Sequence, residues 1–127
     1  MTMIALLGDK NLEYITHREL DAALDLFPDN VTAQWIATDD PDAKKRVAQS
    51  DAVWVVPRTP YRDDNVVYDA IRHARETDRQ FLGTRGGFQY AVVEYARNVT
   101  GLKSVHSVSS NDESGFIFCY AQKSSIR

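Results

Sequence analysis

Residues 81–98, Phe-Leu-Gly-Thr-Arg-Gly-Gly-Phe-Gln-Tyr-Ala-Val-Val-Glu-Tyr-Ala-Arg-Asn, decide the fold. The spacing predicts a strand over Gln80–Thr84, then the turn residues Arg85-Gly86-Gly87, then a helix from Phe88 to Val99 closed by Gly101. A strand that turns so abruptly into a helix holds one side chain out at the helix N-terminus, the shape of a nucleophile elbow. Small residues are needed beside it because strand and helix backbones approach closely. The side chain held out here is Arg85. The unpaired N–H groups of a helix N-terminus favour an anion at that point.

Upstream, the same alternation repeats. Met3–Leu7 and Ala52–Val56 are continuous apolar runs, the pattern of buried parallel strands, and Thr32–Thr38 reads as another strand. Between them, Thr16–Glu19 has capping-box spacing, and apolar Leu20, Ala23, Leu24 and Phe27 recur at helical intervals up to Pro28. Asp42–Gln49 reads as a short helix exposing Lys44, Lys45 and Arg46. Asp63 or Asp64 caps a further helix reaching about Thr77. Pro57-Arg58-Thr59-Pro60 forces an irregular loop, because proline disfavours helix at the residue before it. Phe116–Ala121 reads as a last strand. Strands alternating with helices give a three-layer α/β domain, 1–127, with a mainly parallel, flavodoxin-like sheet. In such sheets ligands sit beyond the carboxyl ends of the strands, which singles out the loops after Gly8, around Arg58 and at Arg85.

Bulk properties narrow the field. At 127 residues the chain fits one domain. Its net charge of -3 gives no general reason to bind nucleic acid or an anionic membrane, and no apolar stretch approaches a membrane span. One cysteine, Cys119, excludes an internal disulfide and a multi-cysteine metal site. The short apolar run near Met1 has no basic region before it, so a cytoplasmic protein is expected. No cofactor or metal is expected.

The 81–98 segment resembles the elbow in the glutaminase domain of CTP synthase, a class I glutamine amidotransferase, where the turn carries the catalytic cysteine. It is similar also to the small CTP synthase C-terminal-region-related proteins, whose elbow reads roughly FLGTCGGFQ before an EYARN-type helix. Those proteins carry a P-G-S-P-Y-R loop and a T-H-R helix start; here stand Pro57-Arg58-Thr59-Pro60-Tyr61-Arg62 and Thr16-His17-Arg18. The likeness runs from the first strand to about His106.

The resemblance implies a truncated amidotransferase plan with its C-terminal part missing, and the departures bear on activity. Arg85 stands where the family has cysteine, and a permanently protonated guanidinium cannot attack a carbonyl. Arg58 stands at the loop glycine whose backbone helps hold the oxyanion. The family's histidine and glutamate fall in a portion beyond this chain's length. Glutamine hydrolysis is therefore not expected.

Candidate substrate-binding residues are Arg58, Arg85, Thr59, Gly86 and Tyr14, which would form a site for a small carboxylate or phosphate. Candidate proton-transfer residues are His17 and Tyr61. Each has an ordinary alternative: drifted surface arginines, a histidine fixed by local hydrogen bonds, aromatic residues that merely pack. Glu94 is expected to pair with Arg97 within one helix, Arg75 and His73 to lie on a solvated face, and Cys119 to be a packed thiol. Three functions stay open: a rebuilt pocket running lyase, cyclase or isomerase chemistry on a small anion, a non-catalytic binding or regulatory subunit, or a decayed paralogue that still folds. The apolar strand at Phe116–Ala121, left at a sheet edge, suggests a homodimer.

Overall fold

The computed structural model describes residues 1–102. Among the described residues four strands and four helices alternate: β1 (Thr2–Leu7), α1 (Ile15–Leu24), β2 (Val31–Ile36), α2 (Ala43–Gln49), β3 (Ala52–Val55), α3 (Asp64–Glu76), β4 (Gln80–Gly83) and α4 (Gly86–Asn98). All strand pairs are parallel, in the order β2-β1-β3-β4. The side-chain period of two sends β1 residues to opposite faces. Ala5 and Leu7 join Val53, Val55 and Ile36 beneath Ala43 and Val47 of α2, Val67, Ala70 and Ile71 of α3, and Tyr90 of α4. Leu6, Ile4, Trp35 and Trp54 pack on the other face with Leu20 and Leu24 of α1. The three layers and the flavodoxin-like strand order are those expected. Strand order reverses between β1 and β3, so a crevice opens at their carboxyl ends.

Local chemistry explains most boundaries. Asp63 caps α3, its carboxylate accepting the amides of Asn65 and Val66. The Thr16–Glu19 capping box does not form. A turn at Asn11–Tyr14 starts α1 at Ile15, so Thr16 already lies inside the first turn, its hydroxyl buried without a hydrogen-bond partner among the described residues. Helix α1 also stops short of Phe27. The amides of Asp25, Leu26 and Phe27 each donate to the carbonyl three residues back, tightening the chain out of α-geometry.

Glu94 corrects a second expectation. It is 1 % exposed and pairs not with Arg97 but with Arg75 of α3, which donates through Nε at 2.7 Å. The Arg75 guanidinium is held above its ordinary pKa by that hydrogen bond. Arg97 instead covers the Tyr68 ring, 4.6 Å from its centroid. Lys44 forms an exposed ion pair with Asp69, a contact of small worth, whereas Arg46 is half-buried and pairs with Asp40 at 2.7 Å. His106, Cys119 and the Phe116–Ala121 strand lie outside the described residues.

Candidate functional site

Asp9, immediately after β1, organises the crevice. Its carboxylate accepts the Thr38 amide at 2.8 Å, the Thr38 hydroxyl at 3.0 Å and the Arg62 amide at 2.7 Å. The Thr38 oxygen in turn accepts the Asp63 amide. One carboxylate thus ties the ends of β1 and β2 to the loop that follows β3. Neither Asp9 nor Thr38 figured among the sequence candidates. The available signal was an aspartate at the carboxyl end of a central strand.

The loop after β3 carries Arg58, whose backbone has φ 83°. Its guanidinium carbon lies 3.6 Å from the Tyr14 ring centroid. Tyr61 fixes the far side of the loop by donating its hydroxyl to the Val56 carbonyl at 2.7 Å. Its amide donates to Asp64, which also accepts the Tyr90 hydroxyl at 2.7 Å. Asp64 therefore joins this loop to α4.

The elbow lies beside it. Arg85 is the N-cap of α4, at φ 49° and ψ -110°. Close packing explains the glycines. A Cβ on Gly87 would stand 2.2 Å from the Val55 carbonyl oxygen, and one on Gly86 2.2 Å from the Thr59 methyl. The Trp54 indole donates to the Thr84 hydroxyl at 3.0 Å, fixing the strand side of the turn. The described non-glycine residues with positive φ are Arg58, Asp78 and Arg85, so two of the three sit in this site. Such backbone costs about 1–3 kcal/mol per residue and gathers where the surroundings over-determine it.

Arg58, Thr59, Arg85, Gly86 and Gln89 line a cleft of about 210 Å³. A second cleft of about 210 Å³ adjoins it and shares Arg58 and Thr59, with Asp9, Asn11, Tyr14 and Arg62 on its other walls. Among the described residues neither Arg58 nor Arg85 forms an ion pair. The structure thus brings together four of the five binding candidates at one cleft and places Tyr14 in the next.

The two proton-transfer candidates are placed differently. His17 is fully buried; its Nδ1 accepts the Asn11 amide and its Nε2 donates to the Pro57 carbonyl, each at 2.9 Å. Both ring nitrogens are occupied by backbone. Tyr61 is buried behind the loop, and burial, then the charges of Asp64 and Asp9, hold its hydroxyl above the ordinary phenol range. Neither side chain lines the cleft between the arginines.

No protein-family model matches the chain. It is 35% identical over 106 residues to CTP synthase of Halobacterium salinarum, covering 82% of this chain and 18% of that protein. CTP synthase of Haloarcula hispanica is 38% identical over 116 residues, 87% of this chain and 21% of the relative. The chain is an amidotransferase-like domain related to CTP synthase. A solved structure of the glutaminase domain of Trypanosoma brucei CTPS, with acivicin bound, superposes at TM-score 0.70. That match covers 91% of this chain and 48% of that one at 22% identity, so it speaks for the fold. The amidotransferase-like domain spans about a fifth of the length of these curated relatives. Among its described residues no helix is long and apolar enough to cross a membrane.

Proposed function

We propose that this amidotransferase-like domain does not hydrolyse glutamine and uses the former active-site crevice to bind a small anion in the cytoplasm. One observation carries the reading. Arg85 occupies the elbow position with its positive-φ backbone, and its side chain shares a cleft with Arg58 that holds no carboxylate from the described residues. Two guanidiniums at a helix N-terminus form a site for carboxylate or phosphate oxygens. A glutaminase needs an acyl-accepting nucleophile at that turn, and a guanidinium is not one. Binding is favoured over catalysis because His17 and Tyr61 are both engaged by backbone away from the cleft.

Thermal shift tests this. A ligand at about a hundred times its Kd stabilises by roughly 2.7 kcal/mol. A panel of small carboxylates and phosphates should raise the Tm of the wild type and leave Arg58→Ala and Arg85→Ala unmoved. A flat response across the panel, or measurable glutamine hydrolysis, overturns the reading.

A regulatory or binding-subunit role has its own support in the sheet surface. Phe81 is 37% and Leu82 48% exposed on β4, which pairs only with β3 among the described strands. A homodimer built on this edge of the sheet is the partner proposal, and a monomeric mass in light scattering at micromolar concentration overturns it.

A further inference from the structure

We infer that the ligand carries two anionic groups, one at each of the two adjoining clefts, with Arg58 on the ridge between them. This rests on the anion-binding reading above and deepens it. Arg58 and Thr59 line both clefts, so a molecule in one is continuous with the other. The first cleft presents Arg85 and Arg58 to one anionic end.

The second cleft contains an aspartate, which at first sight repels a second anion. Asp9, however, has both oxygens engaged: Oδ1 by the Thr38 amide and hydroxyl, Oδ2 by that hydroxyl and the Arg62 amide. The opposing cation is not held in the same way. The Arg62 guanidinium reaches Asp39 only at 3.5 Å, and both side chains are more than half exposed. A contact so long and so wet is readily exchanged for a ligand carboxylate. Arg62 and Arg58 thus flank the second cleft as Arg85 and Arg58 flank the first. The Tyr14 face is already covered by the Arg58 guanidinium, which argues for a compact aliphatic body between the charges over a stacking ring.

The test is isothermal titration at fixed ionic strength with butyrate, with succinate, glutarate and adipate, and with 3-phosphonopropionate. The diacid of fitting length should bind at least tenfold more tightly than butyrate. The phosphonate arm shows whether a phosphate-type group is preferred at one end. Arg62→Gln should erase the tenfold ratio, while Arg85→Gln should weaken every probe. All three arginines are exposed, so the variants should melt within a few degrees of the wild type. If butyrate binds as tightly as every diacid, or Arg62→Gln leaves the ratio intact, the two-anion inference fails and the anion-binding reading survives. If none of the probes binds, both fall together.

Discussion

The Arg58 guanidinium stacks on Tyr14, 3.6 Å from the ring centroid, and this contact connects α1 to the loop after β3. An arginine at φ 83° on an exposed loop has many alternative positions, and the ring selects one of them. Cation–π contacts at exposed sites contribute about 0.5–1 kcal/mol. Tyr14→Ala should therefore weaken anion binding by roughly two- to fivefold, and Tyr14→Phe should keep it, since the ring is what Arg58 uses. Equal loss in both variants would assign the effect to the hydroxyl and remove the stacking explanation.

Arg85 carries a cost that glycine would not. At φ 49° a side chain is strained, and the strain is of order 1–3 kcal/mol. Arg85→Gly should raise stability by about 1 kcal/mol in chemical denaturation while abolishing the anion-dependent shift in Tm. Gly87→Ala is the contrasting case at the same turn. Its Cβ would meet the Val55 carbonyl oxygen at 2.2 Å, so that variant should lose several kcal/mol or fail to fold.

Glu94 is buried and Arg75 is one-third exposed at the side chain, so the pair is asymmetric. Removing Arg75 leaves a carboxylate inside the α3–α4 interface without its partner, which costs roughly 3 kcal/mol. Arg75→Leu should lower Tm by on the order of 15 °C. Adding Glu94→Leu should recover most of that loss, because the stranded charge is then gone. A double variant as unstable as the single one would show that packing, not charge, holds this interface.

These contacts also mark what sequence can and cannot reveal here. The strands were legible because their apolar runs are continuous, and Arg85 because glycines follow a strand end directly. Glu94 was misread as pairing along its own helix. Its partner is 19 residues away, and the pairing depends on how α3 and α4 face one another. Asp9 was missed for the same reason, its partners lying 29 and 53 residues off. The missing capping box is local, yet it was decided by the turn at Asn11–Tyr14 that sets the helix start. Patterns along the chain locate the elements that carry the site. They do not determine which side chains meet once those elements pack.

His17 bridges the Asn11 amide and the Pro57 carbonyl from inside the protein, so it links the loops after β1 and β3. His17→Phe keeps the volume but strands a half-buried donor and a buried acceptor, costing roughly 2 kcal/mol in all. Expected are a lower denaturation midpoint and an unchanged far-UV spectrum. Anion binding should weaken only as far as the Arg58 loop loosens. A variant as stable as the wild type would show that these two hydrogen bonds do not hold the loops together.

The buried tyrosines set the alkaline limit. Burial raises the pKa of Tyr61 and Tyr90 above the ordinary 10.0; for Tyr90 the next contribution is its hydrogen bond to Asp64. Both phenols stay protonated in the fold at pH values where the unfolded chain ionises. Their stabilisation is complete below pH 10 and is lost as pH rises above it, because the unfolded state then binds fewer protons. Each tyrosine steepens that loss by about 1.4 kcal/mol per pH unit. Urea denaturation between pH 9 and pH 11.5 should show stability falling from about pH 10. Tyr90→Phe should reduce the slope, and Tyr61→Phe should do the same, each at some cost at neutral pH where a hydroxyl hydrogen bond is removed. A slope unaffected by either substitution would assign the alkaline transition to other groups and leave these phenols ionising no later than in the unfolded chain.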